Sequence, residues 1–227
     1  SLTNEAYVSN GDMAYYSNVG SLGRGTDWQD AVFSQAFTSN QSIGVSGGSD
    51  NASYSGGLSA FTQDGIIGKD KSGFQRYNAR FNYTVDLRLP DGTPTNFKFK
   101  MNMLYSKTNR KTLPEGGIGS VLFNALNMAP TYTLRDASGA FTRAENMPIE
   151  VINPLWQIDA TQNKVVADRV SGVFGLNYKF WSDFSADVNY QWNYTEVRNR
   201  SFSGVNDFGS EGVADKVFDT DVAAYYV

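Results

Sequence analysis

Two of the side chains that carry most acid–base and metal chemistry are missing from this 227-residue chain, which has no His and no Cys. Their absence removes the commonest general base and metal ligand together with every thiolate. A hydrolase would then need paired carboxylates or a Ser–Lys couple. The conspicuous carboxylates, Asp64, Asp70, Asp91, Asp183 and Glu115, sit among Gly, Pro, Ser and Asn and read as turn formers whose oxygens accept from nearby backbone N–H groups. GGSDNAS (47–53) has the composition of an anion-binding nest, and a short hairpin explains it more simply. No catalytic set, metal site or cofactor site emerges. What remains is recognition chemistry at alternate positions: Arg76, Asn78, Arg80 and Asn82, then Lys98 and Lys100, then Asn189 and Gln191. Guanidinium groups grip carboxylates in pairs of hydrogen bonds, and amides both donate and accept, so such a series suits a polar solute or a packed acidic partner.

The elements that must position these residues are strands. In GFQRYNARFNYTVDL (73–87), the other parity is Tyr77, Ala79, Phe81, Tyr83, Val85 and Leu87. Successive strand side chains point to opposite faces, so one face is aromatic and the other charged or amide-bearing. NFKFKMNMLYS (96–106) repeats the partition with Phe97, Phe99, Met101, Met103 and Tyr105. ADRVSGVFGLNYKF (167–180) repeats it with Val170, Phe174, Leu176 and Tyr178, and FSADVNYQWNYT (184–195) with Val188, Tyr190, Trp192 and Tyr194. QSIGVSGG (41–48), SYSGGLSAFTQDG (53–65) and DKVFDTDVAAYYV (215–227) are further strand segments. TDWQDAVFSQAF (26–37) reads as a short helix capped by Thr26 or Asp27, with Trp28, Val32 and Phe33 on one side. A second short helix is expected at 120–128.

Composition agrees with this class: 22 Gly, 15 Phe and 13 Tyr stand against five Met and four Trp. A net charge of -4 gives no basic stripe for nucleic acid. No run approaches the roughly 18 apolar residues of a membrane helix, which does not bear on strands. The start SLTNEAYVSNGD lacks the basic and apolar regions of a signal peptide and reads as the interior of a longer sequence.

Alternation alone fits two architectures. A soluble β-sandwich packs its apolar face on a core, whereas a membrane barrel turns that face to lipid and the polar face to a wet lumen. Connection lengths separate them. GSDNA, LPDGTPT and WSD are short, and they alternate with IIGKDKSG, the stretch 107–164 and the loop after 195. Short periplasmic turns alternating with long extracellular loops are a barrel rule. The expected architecture is therefore all-β, a section of a large antiparallel transmembrane β-barrel. It comprises an extracellular loop segment over 1–40, about four strands over 41–106, a long extracellular loop over 107–166, and two to three strands with a second long loop over 167–227. Tyr77, Phe81, Tyr83, Phe97, Phe99, Phe174, Tyr178, Tyr190 and Trp192 are then lipid-facing, and the Arg, Lys and amide series faces lumen or plug.

Several segments in order carry a resemblance. TDWQDAVF (26–33), SIGVSGGSDNASYSGG (42–57), LSAFTQDG (58–65) and FQRYNARFN (74–82) are similar to the DWQD-like, SVSGGS, QDG and FxRYxxRxN segments of SusC/RagA-type TonB-dependent outer-membrane transporters. NALNMAPTY (124–132) and INPLW (152–156) resemble that family's long-loop segments. The resemblance implies a large plugged barrel that imports oligosaccharides or peptides under a SusD-like lipoprotein lid, with TonB supplying energy. No plug or TonB box is visible here, and six to seven strands do not close such a barrel. Arg76 and Arg80 share one face and would grip plug carboxylates, while the rest of the series contacts solute, solvates the lumen or holds the plug. Phe123, Tyr132 and Trp156 lie in the long loop, where loop-core packing is the leading reading and stacking on solute or contact with a lid protein the alternative. A secreted glycan-binding β-sandwich and a passive porin are the alternatives.

Overall fold

The computed structural model describes residues 23–144, 147–148, 150–181, 184–204 and 216–226. Seven strands follow one another in a single antiparallel meander: β1 (Thr38–Ser49), β2 (Ala52–Asp64), β3 (Gly73–Arg88), β4 (Pro94–Thr112), β5 (Thr161–Trp181), β6 (Phe184–Ser203) and β7 (Lys216–Tyr226). Every strand pairs with its sequence neighbour and no crossover occurs. Connections 50–51 and 89–93 lie at one end of the sheet, as does the junction between Trp181 and Phe184, and 65–72, 113–160 and the junction between Ser203 and Lys216 lie at the other. The alternation expected from the sequence is thus the alternation of the fold.

Register turns the parity argument into geometry, because directly opposed residues project to the same side. The rows Leu58–Ala79–Tyr105–Val170–Tyr194 and Gly56–Phe81–Met103–Gly172–Trp192 continue unbroken from β2 to β6. Below them run Tyr54–Tyr83–Met101–Phe174–Tyr190 and Val85–Phe99–Leu176–Val188. All the aromatics expected on one face share it. Bulges fall only at the short-turn end, between Asp86 and Arg88 and between Lys179 and Trp181.

That face is bare. Ile43 is 72% exposed, Val188 67% and Leu58 61%. Among the described residues the sheet's one buried apolar side chain is Ala167. The protein's hydrophobic core lies instead above the sheet, in a cap built from the long connections. There Trp28, Val32, Leu113, Val121, Ala125, Met128 and Val151 form one buried cluster. Three short helices frame it: α1 (Trp28–Val32), α2 (Val121–Asn127) and α3 (Pro154–Ala160).

Each helix starts on a capping side chain. Asp27 accepts from Asp30 N, Ser120 from Phe123 N, and Asn153 from Leu155 N and Trp156 N, with Pro154 in the first turn of α3. The cap residue expected for α1 is Asp27, and Trp28 and Val32 are buried as expected. Phe33 is not: it leaves the helix at its C-cap, pairs with Ile67 and stays 40% exposed.

Three strands run further than their apolar alternation. β4 continues to Thr112, β5 starts at Thr161 and β6 reaches Ser203, so the central connection is 113–160 instead of 107–166, and the stretch from 197 to 203 is strand instead of loop. Beyond the apolar band both faces carry polar residues, so pairing persists while the two-residue hydrophobic signal disappears. The expectations for residues 1–22, and for Asp183 as a turn former, lie outside the described residues. No helix among the described residues is long and apolar enough to cross a membrane.

Candidate functional site

The sheet's second face collects the recognition residues. Arg76, Asn78, Arg80 and Asn82 occupy alternate positions of β3, and the register sets Asn78 opposite Ser106, Arg80 opposite Leu104 and Asn82 opposite Asn102. Lys98 and Lys100 follow on β4. Lys100 reaches Asn189 across Gly175, and Asn102 reaches Gln191 across Val173. All eight residues lie on one side of a single sheet, so pairing in space joins what the sequence separates by more than a hundred positions.

Their local partners differ. Asn78 Nδ2 donates to Ser59 Oγ at 3.1 Å, and Asn82 Nδ2 donates to Ser55 Oγ at 3.0 Å. These cross-strand bonds hold the amides flat against β2. Lys98 Nζ sits 3.3 Å from Asp86 Oδ1, a half-exposed pair of small net worth. Arg80 lies across Gly57, where a β-carbon would come within 2.9 Å of its Nε, so the glycine is the space that the guanidinium occupies. Arg76 stands over the Phe61 ring at 5.8 Å. Leu104 and Val173 interrupt the polar rows. Such a surface can bind and orient charged or hydroxylated groups. It presents no nucleophile beside a base.

The apolar face is finished differently at its two ends. At the short-turn end Phe97 stacks on Tyr178 at 4.3 Å, and Phe180, Trp181 and Phe184 join them with ring centroids 5.4–6.1 Å apart. At the cap end Tyr105 Oη donates to Asp168 at 2.6 Å, and Arg198 bridges Asp168 at 2.8 Å and Glu196 at 3.3 Å. From Phe97 to Tyr105 the strand climbs about 27 Å, which at the usual barrel tilt is roughly 20 Å of height. The apolar band of an outer-membrane barrel is about 25 Å tall, so the span between the aromatic end and the charged end fits it.

Above the sheet the cap is stitched by buried amides. Asn124, fully buried, donates from Nδ2 to Gln157 Oε1 at 2.8 Å and accepts from Ile152 N at 3.3 Å. Gln157 Nε2 donates to Gly119 O at 2.6 Å. Asn153 donates to Leu134 O at 3.0 Å and Thr142 O at 3.2 Å while its Oδ1 caps α3. Trp28 Nε1 ties α1 to Ala129 O at 3.0 Å. Of the three loop aromatics, Phe123 and Tyr132 pack against the cluster, and Trp156 stacks on Phe141 at 6.3 Å.

Sequence reasoning passed over Asn124, Asn153 and Gln157 as structural residues. The readable signal was Asn-Pro at 153–154, a cap followed by a first-turn proline. An apolar hollow of about 730 Å³ opens between the cap and the polar side of the sheet, lined by Phe74, Ile118, Leu122, Phe123 and Leu126. Ile118 is 71% exposed there and Leu126 53%.

Comparison with known proteins places this arrangement. No family model matches the chain. TonB-dependent receptor P3 of Formosa agariphila is 28% identical over 175 residues, covering 74% of this chain, and TonB-dependent receptor P26 of the same organism is 26% identical over 181 residues, covering 78%. The chain spans only 16% and 17% of those relatives' lengths. The RagAB peptide importer in its closed-closed state superposes with a TM-score of 0.64 at 19% identity, over 89% of this chain and 23% of that one. Its open-open state gives 0.65 at 18%, with the same coverage. At that identity the structural likeness establishes the fold: the meander is built like a section of a TonB-dependent transporter's barrel. The curated relatives and the fold together bear out the SusC/RagA-type resemblance over most of the chain.

Proposed function

We propose that this SusC/RagA-like chain is part of the wall and mouth of a TonB-dependent outer-membrane importer in a Gram-negative bacterium. The observation that carries the reading is a seven-stranded meander whose apolar face is exposed, while the buried apolar cluster among the described residues sits in the cap beyond one end of the strands. A sheet with that distribution is stable where lipid covers the apolar side. Tyr77, Phe81, Tyr83, Phe97, Phe99, Phe174, Tyr178, Tyr190 and Trp192 are the lipid contacts in this reading. Arg76, Asn78, Arg80, Asn82, Lys98, Lys100, Asn189 and Gln191 line the lumen, where Arg76 and Arg80 hold carboxylates of the plug and the remaining groups keep the passage wet.

The cap is the mouth. A SusD-like lipoprotein closes over it, and the exposed Ile118, Leu122 and Leu126 beside the apolar hollow offer that lid a surface. Phe123, Tyr132 and Trp156 belong to the same rim, and they contribute mainly by setting its shape. TonB acts through a plug and TonB box elsewhere in the complete protein. The cargo is an oligosaccharide or a peptide, with the loops deciding which. The chain takes no part in covalent chemistry.

The decisive experiment expresses the complete protein and its lid partner in a strain lacking both. Outer-membrane fractionation, heat-modifiable gel mobility and TonB-dependent uptake of labelled oligosaccharides and oligopeptides are then measured. Membrane localisation with uptake abolished by loss of TonB supports the proposal. A protein that folds as a compact monomer in detergent-free buffer sinks it.

A further inference from the structure

The strands do not stop where the apolar band stops, and what they carry above it on the same outward side is cationic. Beyond the Tyr105–Val170–Tyr194 row, the first row is Lys107–Asp168–Glu196, in which opposite charges meet. Four residues further along the same parity the register aligns Lys111, Lys164 and Arg200 side by side. All three are exposed. Arg200 stands opposite Asp219 in register.

Lys71, on the 65–72 connection, folds over this row and joins it. Its Nζ donates to Asp159 O at 3.1 Å and Thr161 O at 3.4 Å, and Lys111 Nζ donates to Asp70 O at 3.0 Å. Carbonyl oxygens fix these ammonium groups in place without cancelling their charge. Among the described residues no carboxylate lies within ion-pair distance of Lys71, Lys111 or Lys164, although Asp70 also borders the groove. The groove they share has a volume of about 830 Å³ and is lined also by Gln162, Ser201 and Phe202.

We infer that this groove binds the phosphate groups of an anionic glycolipid in the outer leaflet. The inference rests on the membrane-wall reading above. Three observations favour a lipid head over a soluble or protein partner. The cations share the parity of Tyr77 and Phe81, so they look sideways into the bilayer plane and away from the polar face. Lys111 lies six residues past Tyr105, about 20 Å along the strand and roughly 15 Å in height, so it stands above the apolar band on the side of the long connections. The Lys71 and Lys111 ammonium groups are anchored by backbone carbonyls and so hold a fixed spacing, which suits phosphates better than mobile side chains would.

The test uses the complete protein in detergent micelles, titrated with fluorescently labelled rough lipopolysaccharide and with the same lipid after its phosphates have been removed by hydrofluoric acid. Wild type should hold the phosphorylated lipid at least about tenfold more tightly, the loss expected for one charge-assisted hydrogen bond or more. Lys111→Glu with Lys164→Glu should erase that preference, and Lys111→Gln with Lys164→Gln should weaken it in the same direction should the acidic pair fail to assemble. Lys98→Glu with Lys100→Glu, on the opposite face, should leave it unchanged. Equal binding of the two lipids by wild type, or wild-type affinity in both Lys111/Lys164 variants, overturns the inference. Displacement of the lipid by millimolar inorganic phosphate also overturns it, because the groove is then a free-anion site. Heat-modifiable mobility is recorded on every sample: its absence in wild type faults the membrane-wall reading, and its presence with unselective lipid binding faults the groove alone.

Discussion

The cap and the sheet solve the same problem in opposite ways. The cap, 23–36 with 113–160, buries Trp28, Val121 and Met128 against one another and satisfies its interior polar atoms with Asn124, Asn153 and Gln157. The sheet has more strand residues and more aromatics, and it encloses nothing. Large apolar side chains of its outward face stay exposed, as Ile43 and Val188 do, and Phe97 stacks on Tyr178 within that face. One region supplies its own solvent-free interior, and the other leaves that role to its surroundings. Burial of large apolar groups marks the cap and their exposure marks the sheet, the pattern on which the proposed membrane-wall reading rests.

The largest effect that could break this contrast is expected from Trp28→Ala in the complete protein. It removes a buried indole and its bond to Ala129 O, at about 3–5 kcal/mol. Hydrogen exchange should rise throughout the cap while heat-modifiable mobility of the barrel persists. Loss of both together would mean that cap and sheet form one cooperative unit. Next comes Phe81→Arg, which should impair membrane assembly by about 2–4 kcal/mol near the bilayer midplane, whereas Asn82→Arg one residue away should cost far less. Urea titration in lipid vesicles reads both, and equal damage on the two faces would dissolve the distinction between them.

Asn124→Leu keeps the branching at Cγ and deletes the amide, orphaning Ile152 N and Gln157 Oε1. About 1–3 kcal/mol should leave the cap, seen as faster proteolysis of 113–160 with the barrel unchanged. Lys98→Met removes a half-exposed pair with Asp86 and should shift urea unfolding by no more than about 1 kcal/mol.

The smallest effect concerns Asp136 in the cap. Its carboxylate accepts from Ser138 Oγ, Ser138 N and Ala140 N, and these bonds, the Ser138 hydroxyl first, hold it below its ordinary value of 3.8. A depressed carboxylate stabilises its loop above the unfolded value and ceases to do so as pH falls through the folded one. Amide protection at 138 and 140, compared at matched intrinsic exchange rates, should therefore be constant near neutrality and fall below pH about 4. Asp136→Asn should flatten that profile.

How much of this was legible depended on which medium each face meets. Along β3, lipid on one side and water on the other would select different residues, so alternation at 76–87 exposes both faces to a reader of the sequence. At Lys107–Thr112, Thr161–Val166 and Glu196–Ser203 both faces are wet, and pairing leaves no hydrophobic trace. The cap was harder for a different reason. Asn124, Asn153 and Gln157 are residue types expected on surfaces, and only their partners, 28 to 38 positions away in Ile152, Gln157 and Gly119 or nearer in Leu134 and Thr142, reveal them as interior. The recognition series was visible as eight residues of one chemistry. That Lys100 and Asn189 flank a shared glycine was settled by register.

The strict neighbour-to-neighbour order from β1 to β7 has a consequence for biogenesis. Each strand finds its partner next in the chain, so hairpins can be laid down one after another, with every new edge serving as the template for the next. Until the next strand is added, the free edge of a growing sheet presents a ladder of unsatisfied backbone groups, each costing several kcal/mol in hydrocarbon. Stalled intermediates would therefore stick to any free strand they meet, and insertion and closure must proceed as one continuous zippering event.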